Sequence, residues 1–276
     1  MIPSYADRRS KTAAGGTALS ILLGVDSVVY GVLGADQHLR AAAWHERPAP
    51  DGPPFHQFLD GLRRTESVLT QAHAQTYLAV DSFYSTLVPQ RLAEDGQDRL
   101  FLLQQSPLPD DLYVTHHQST AHKYRISYGY AARTKVWLDE HFPNVPVRPF
   151  ASVLIEAARR LASDRQRLAL HVQDGRVHLT FLDAEQLIYH NSFPFQTAKD
   201  FLYYVLLVYD QFGLSPETVP SYLSGTLLPE SELYHLLHRY VRHLHLAAPP
   251  AGIGFGSGWD PTYAHTYYPL LASFNT

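Results

Sequence analysis

Displaced by 149 positions, residues 19–39 of this chain fall on residues 168–188 without a gap. Leu19, Ile21, Leu23, Val28, Tyr30, Val32 and Leu33 coincide with Leu168, Leu170, Val172, Val177, Leu179, Phe181 and Leu182. Ala35-Asp36-Gln37 coincides with Ala184-Glu185-Gln186. Apolar residues at alternate positions mark strands with one buried face. Each copy therefore reads as three antiparallel strands. In the second copy Asp174-Gly175 sits between two alternating runs, a strong two-residue hairpin signal. A further turn lies near Asp183-Ala184, and the first copy turns at Val25–Ser27 and again near Gly34–Gln37.

A helix follows in both copies. Phe55, Phe58, Leu59, Leu62 and Leu69 have helical spacing in the first, and Phe201, Tyr204, Val205, Val208 and Phe212 in the second. Gly213 and Pro216 should end the second helix. A fourth strand then closes each unit, at Thr76–Val80 and Ser221–Gly225. A strand that returns through a helix lies parallel to an earlier one by a right-handed crossover. The expected fold class is thus α/β with two β-β-β-α-β units, divided into residues 1–165 and 166–276 at a junction near Ser163–Arg167. Pro89 and Pro229 are expected to start further helices. Between the copies, Lys123–Tyr128 and Val145–Arg148 read as strands, and Ala131–Phe142 and Phe150–Leu161 as helices. The polar stretch Glu94–His122, with Pro107 and Pro109, reads as an insertion or hairpin-like excursion. Pro249–Gly258 reads as a loop and Tyr263–Phe274 as a short aromatic closing helix.

The 276 residues are 45% hydrophobic and 17% charged, enough to build a substantial core. The net charge is −4 with no basic stripe, which argues against a nucleic-acid partner. The absence of cysteine excludes disulfides, iron–sulfur clusters and thiol nucleophiles. Met1–Gly16 carries Arg8, Arg9 and Lys11 without a following apolar run, and so reads as a frayed leader. The strongly apolar run Phe201–Tyr209 is too short to cross a bilayer, which takes about 20 residues. The expected location is the cytoplasm, with no membrane insertion.

Two tandem β-β-β-α-β units joined by helices resemble the actin, sugar-kinase and heat-shock-70 superfamily, whose halves are ribonuclease-H-like. The chain more closely resembles the bacterial domain-of-unknown-function family 3822, with its actin-like ATPase fold. The likeness rests on Leu19–His45, on Tyr77–Leu92 with Phe83 and Leu87-Val88-Pro89, and on Leu168–Leu237 with Leu223-Ser224-Gly225 and Ser231-Glu232-Leu233-Tyr234. The architecture is also similar to the cytoplasmic actin-like components of type IV pilus and type II secretion machines, which act largely by binding partner proteins. Fold-level likeness does not fix function.

The resemblance implies two glycine-rich hairpin loops whose backbone N–H groups cradle phosphates, with an aspartate holding the metal through water. Here the first loop is Gly24-Val25-Asp26-Ser27-Val28 and the second Gln173-Asp174-Gly175-Arg176. Neither is a run of glycines. Gly225-Thr226 partly matches the segment that flanks adenosine in that superfamily. Asp26 and Asp81 should stand at the C-terminal ends of parallel neighbouring strands, where open α/β sheets bind ligands. Two carboxylates there suit Mg²⁺ or the start of a two-metal nuclease site. Otherwise they are a turn aspartate and a strand-end or capping aspartate.

Other motifs point less far. His235 and His238 lie one turn apart with His243 and His245 beyond, and His116, His117 and His122 form a second group. Zinc needs three or four converging ligands, and helix spacing joins two of these, so a solvated face is expected. Gly252–Gly258 is not placed between a strand and a helix as a dinucleotide loop would be, and reads as a flexible connector. Tyr263, Tyr267, Tyr268 and Phe274, with Trp259, are expected either to pack in the core, to cover an inter-domain cleft or to face a partner. Together these features favour a non-catalytic scaffold or adaptor that binds a protein, as a possible homodimer. In that reading Asp26, Asp81, Asp174, Gly225 and Thr226 are remnants of a cleft, and no cofactor is expected. The alternative is a divergent Mg²⁺-dependent ATPase or nucleotide-binding protein, or, further off, a ribonuclease-H-like nuclease.

Overall fold

The computed structural model describes residues 2, 4–6, 16–48, 52–119, 122–162, 165–256 and 258–274. Arg8, Arg9 and Lys11 of the leader, and Ser163 and Asp164 of the expected junction, lie outside the described residues. The chain forms a first unit of Met1–Val153, Gly252–Trp259 and Ser273–Asn275, and a second made of Leu154–Ala251 and Asp260–Ala272.

In the first unit the alternating runs become β1 (Tyr5–Ala6), β2 (Thr17–Leu23), β3 (Ser27–Gly34) and β4 (His38–Glu46). Helix α1 (Phe55–Thr65) leads to β5 (Gln75–Val80). The antiparallel hairpin pairs Leu23 with Val28, and β5 returns parallel to β2 with Leu23 opposite Val80. Leu19, Ile21, Leu23, Val28, Tyr30 and Val32 meet Leu59 and Leu62 of α1 in one core. Leu69, read as the end of that helix, lies in a separate 3₁₀ turn, Ser67–Leu69, because Glu66 is extended and breaks the helix.

The stretch read as an insertion or hairpin-like excursion holds a short helix and one strand of an antiparallel hairpin. β6 (Tyr84–Pro89), α2 (Asp98–Leu103), β7 (Leu112–Ser119) and β8 (Tyr124–Ala131) follow β5, and the three strands form an antiparallel sheet ordered β6-β8-β7. Pro89 therefore ends a strand and does not start an α-helix. Its missing N–H costs nothing at a strand end, and Gln90–Leu92 is a 3₁₀ turn. Helix α3 (Ala132–His141) adds Trp137 and Leu138 to the core, and β9 (Val147–Pro149) pairs parallel with β5. Helix α4 (Phe150–Arg159) follows.

The second unit has β10 (Gln166–Gln173), β11 (Arg176–Asp183), β12 (Gln186–Pro194), α5 (Ala198–Gln211) and β13 (Ser221–Gly225). Then come α6 (Glu232–His238), β14 (Leu244–Leu246), β15 (Gly254–Phe255), which joins the first unit, and α7 (Tyr268–Ser273). The sheet is ordered β12-β11-β10-β13-β14, and the first unit contains the matching run β4-β3-β2-β5. The match extends to irregularities: pairing slips between Val32 and Leu33 in one unit and between Phe181 and Leu182 in the other. Helix α5 starts at a capping box, with Thr197 Oγ1 accepting from Asp200 N at 3.1 Å and Asp200 Oδ2 accepting from Thr197 N at 2.9 Å. Helix α6 begins at Glu232, after a Ser231 cap, and not at Pro229.

One face of the second sheet is apolar, with Leu168, Leu170, Val172, Val177 and Leu179 against Phe201, Val205 and Val208. The other is polar but buried: Arg167, His171, Gln173, Arg176, His178 and Thr180 are all 3% exposed or less. Arg167 shows how such a group is tolerated. Its guanidinium donates to the carbonyls of Ala158 (3.0 Å), Arg159 (3.2 Å) and Ala184 (2.9 Å), placing a cation at the negative end of α4.

In the tail the connector holds a strand where a loop was expected, and the last rings pack in the core. The connector Gly252–Gly258 contains β15, which pairs parallel with β4. Trp259 stacks on Phe255 at 4.6 Å and meets Tyr5 edge-on at 5.4 Å. Tyr267, Tyr268 and Phe274 are buried, so these rings do not form a partner-facing surface. The Tyr268 hydroxyl donates to the Ala157 carbonyl at 2.8 Å.

Candidate functional site

The strand ends that carry Asp26 and Asp81 are parallel neighbours, as the sequence implies. The β2–β3 turn is closed by Gly24 N donating to Ser27 O at 2.8 Å. Asp26 on that turn is held by Arg47, which follows β4. The Arg47 amide donates to the Asp26 carbonyl at 2.7 Å, and Arg47 Nε donates to Asp26 Oδ1 at 2.9 Å. Arg47 Nη2 donates to the same carboxylate oxygen.

Asp81 is 7% exposed. Its amide extends the parallel ladder by donating to Leu23 O at 2.7 Å, and its Oδ1 accepts from Ser82 N at 2.8 Å. Ser82 in turn donates its hydroxyl to Gly129 O and accepts from Tyr84 N at 2.9 Å, locking the crossing from β5 into β6. The two carboxylates thus stand on adjacent strand ends, each engaged by its own protein donor.

In the second unit Asp174 and Gly175 have φ of 51° and 67°, the signature of a type I′ turn, and Gln173 pairs with Arg176. The Gly175 carbonyl accepts from Phe195 N at 3.0 Å. Gly225 and Thr226 pack backbone to backbone against the end of β10. Gly225 has φ of +87°, and a Cβ there would lie 2.1 Å from Val172 O. Its N–H donates to His265 O at 3.1 Å. Thr226 donates both its N–H (2.8 Å) and its hydroxyl (3.1 Å) to Val172 O. The His265 ring bonds Leu227 O through Nε2 at 3.0 Å, and burial depresses its pKa.

A phosphate cradle needs several N–H groups aimed at one point and unclaimed by protein acceptors. At Gly24, Asp81, Ser82, Gly225 and Thr226 the N–H already has a protein acceptor. An internal space in the second unit, bordered by His171, His178, Thr180, Ser224 and Tyr268, measures about 10 Å³, room for about one water. His171 bonds Ser224 Oγ at 3.0 Å and Gln173 Oε1 at 2.9 Å. Among the described residues no group of three or more His, Asp or Glu side chains is placed to hold a metal ion. His235 and His238 are exposed, and Tyr234 stacks on His238. His116 is bound to Asp98.

That Asp98 lies in a polar cluster whose members share no sequence motif. Asp98 is 8% exposed. It accepts from Ser127 Oγ at 2.5 Å and bonds His116 Nδ1 at 2.9 Å, and Arg125 Nη1 lies 3.9 Å away. The only signal in the sequence was a lone aspartate in the first turn of a short apolar helix.

Against known proteins, residues 7–244 match the family described as a protein of unknown function, DUF3822. A Bacteroides thetaiotaomicron protein with actin-like ATPase fold and unknown function superposes with a TM-score of 0.73 at 19% identity, over 84% of this chain and 90% of that one. A chain of the PilM-PilN type IV pilus biogenesis complex superposes with a TM-score of 0.55 at 14% identity, over 93% of this chain and 98% of that one. No curated protein matches in sequence. The fold is the actin-like ATPase fold. No described helix is long and apolar enough to cross a membrane.

Proposed function

We propose that the chain, which belongs to the DUF3822 family, is a non-catalytic scaffold or adaptor. Its actin-like nucleotide cleft is degenerate, and its task is to bind a protein partner. The observation that carries this reading is the state of the strand-end amides. The Gly24 amide of the first expected phosphate loop, those of Asp81 and Ser82 at the neighbouring strand end, and those of Gly225 and Thr226 in the adenosine-flanking segment are consumed inside the protein. The Asp174-Gly175 turn is a two-residue hairpin with no room for a cradle. Asp26, Asp81, Asp174, Gly225 and Thr226 are then remnants of a cleft, and neither nucleotide nor Mg²⁺ is a resident cofactor.

The same reading takes the two units as duplicated ribonuclease-H-like halves divided near residue 165. The shared strand order and the bulges at equivalent steps favour it. A chain that keeps both halves while its phosphate loops are closed still depends on the shape they make. A fold neighbour is found in a complex of PilM with PilN, and by analogy this fold can serve as a body for protein binding. The proposed location is the cytoplasm.

Purified protein titrated with Mg²⁺·ATP is expected to show neither heat of binding nor hydrolysis. Native protein chemically crosslinked in its own cells is expected to carry a second protein in fixed proportion. Stoichiometric nucleotide, or a turnover abolished by Asp26→Ala, would establish a divergent ATPase instead. Metal-dependent strand cleavage that needs Asp26 and Asp81 would establish a nuclease.

A further inference from the structure

The outer edge of β12 is open where the corresponding edge of the other unit is closed. Strands β4 and β12 are each nine residues long and bulge at the same step of their pairing. The outer edge of β4 is covered twice, by β1 at Ala41 and Ala42 and by β15 at His38 and Leu39. Strand β12 ends its sheet, and among the described residues no strand pairs with its outer side; the Ser192 amide there donates to the Asn191 side chain at 2.8 Å, a bond that pairing with another strand would replace. Gln186, Ile188, Asn191 and Pro194 along it are exposed.

Proteins usually guard such an edge with charge, because unpaired backbone groups recruit other strands. Strand β12, Gln-Leu-Ile-Tyr-His-Asn-Ser-Phe-Pro, carries no Lys, Arg, Asp or Glu. At the bulge β4 has Arg40, whereas β12 has Ile188, 38% exposed. Beside the open edge is an aromatic shelf. Phe193 stacks on Tyr204 of α5 at 4.5 Å, and Tyr203, 61% exposed, meets Tyr204 edge-on at 5.5 Å.

We infer that β12 is a homodimerisation edge, pairing antiparallel with β12 of a second copy about a twofold axis. The second copy is the occupant because the strand complements itself. Past the bulge, the regular stretch Tyr189–Phe193 has Asn191 at its middle. Pairing about Asn191 sets Tyr189 of one copy opposite Phe193 of the other, twice, and aromatic cross-strand pairs are favourable. His190 then faces Ser192, and no two charges of like sign meet at neutral pH. An isologous contact closes on itself, so the open edge ends in a dimer and not in a fibre. This inference stands apart from the proposed function.

The chain has no cysteine, so Asn191→Cys introduces a single thiol. On the twofold axis the paired Cα atoms would be about 4.5–5.5 Å apart, within disulfide reach. Wild-type protein is expected to sediment as a dimer. Mild oxidation should convert Asn191→Cys, but not Tyr240→Cys, to a covalent dimer. Asn191→Lys sets two ammonium groups against each other and should weaken association about 100-fold or more, with unchanged circular dichroism. A wild-type chain that stays monomeric up to about 100 µM overturns the inference. So does a dimer that tolerates Asn191→Lys, a dimer that Asn191→Cys fails to crosslink, or a monomer that takes up a foreign extended peptide on this edge.

Discussion

Arg47 binds Asp26 through both backbone and side chain: its amide donates to the Asp26 carbonyl at 2.7 Å and its Nε to Oδ1 at 2.9 Å. Asp26, one of the two aspartates the sequence offers as metal ligands, is therefore fastened to a cation of its own unit. The Asp26 side chain is 44% exposed, so the ion pair itself is screened and worth about 1 kcal/mol or less. Asp26→Ala is expected to lower the denaturant midpoint slightly and to leave the ATP hydrolysis rate at background. A stability loss above about 2 kcal/mol would mean that the backbone bond depends on the carboxylate.

Two glycines with positive φ should respond very differently to the same change. Gly225→Ala places a Cβ 2.1 Å from Val172 O, with no flexible side chain to yield, and is expected to cost more than about 4 kcal/mol or to prevent folding. Gly175 has φ of +67°, but nothing lies within 4 Å of where its Cβ would stand, so Gly175→Ala should cost about 1–2 kcal/mol, the left-handed penalty alone. Chemical unfolding of both variants checks the order. Equal losses would show that the contact with Val172 relaxes by backbone movement.

The repeat made much of this legible. Leu168, Leu170 and Val172 alternate because one face of their strand is apolar, and Asp174-Gly175 announces its hairpin. Of the sheet of β6, β7 and β8, β8 is legible as the strand Lys123–Tyr128, whereas β7 reads as part of a polar excursion because His116, His117 and Gln118 look solvated, although His116 bonds the buried Asp98. Arg125 and Ser127 look solvated in sequence, yet both are under 9% exposed. The site was half legible. The parallel strand ends at Asp26 and Asp81 follow from the crossover rule. The partner that occupies Asp26 does not, because Arg47 lies 21 residues away, beyond two strands. Tyr268 stays open between core and surface in the sequence, because its ring suits either, and the bond of its hydroxyl to the buried Ala157 carbonyl decides for the core.

Asp98 should matter more to stability than the half-buried Asp26. Its carboxylate accepts from Ser127 and bonds His116, with Arg125 nearby, and the side chain is 11% exposed. Asp98→Ala leaves these groups buried with one acceptor fewer, at a cost of about 3 kcal/mol. Arg125 keeps Asp95 and the Glu94 carbonyl, which limits the loss. Thermal unfolding is the measurement, and a shift within error would show that water replaces the carboxylate.

Acidification should destabilise the second unit through His265. Burial, the largest cause, pushes its pKa below the ordinary 6.5, while bonds to the Leu227 and Thr262 carbonyls and the nearby Glu230 pull the other way. The folded pKa is thus lower than the unfolded one, so just below pH 6.5 the unfolded chain binds more protons than the folded chain. Stability then rises with pH in that range and falls as pH drops from about 6.5 toward the folded value. His45, lowered by burial against the attraction of Glu66, acts in the same sense in the first unit. Asp36, Asp95 and Asp200 are lowered from 3.8, so their contributions are lost only at more acid pH and do not confound the window. His265→Gln keeps a donor for Leu227 O and removes the titration. Its plot of unfolding free energy against pH between 7 and 5.5 should be shallower than that of the wild type. Parallel slopes would show that His265 takes up its proton equally in the folded and unfolded chain, which its burial and its bond to Leu227 argue against.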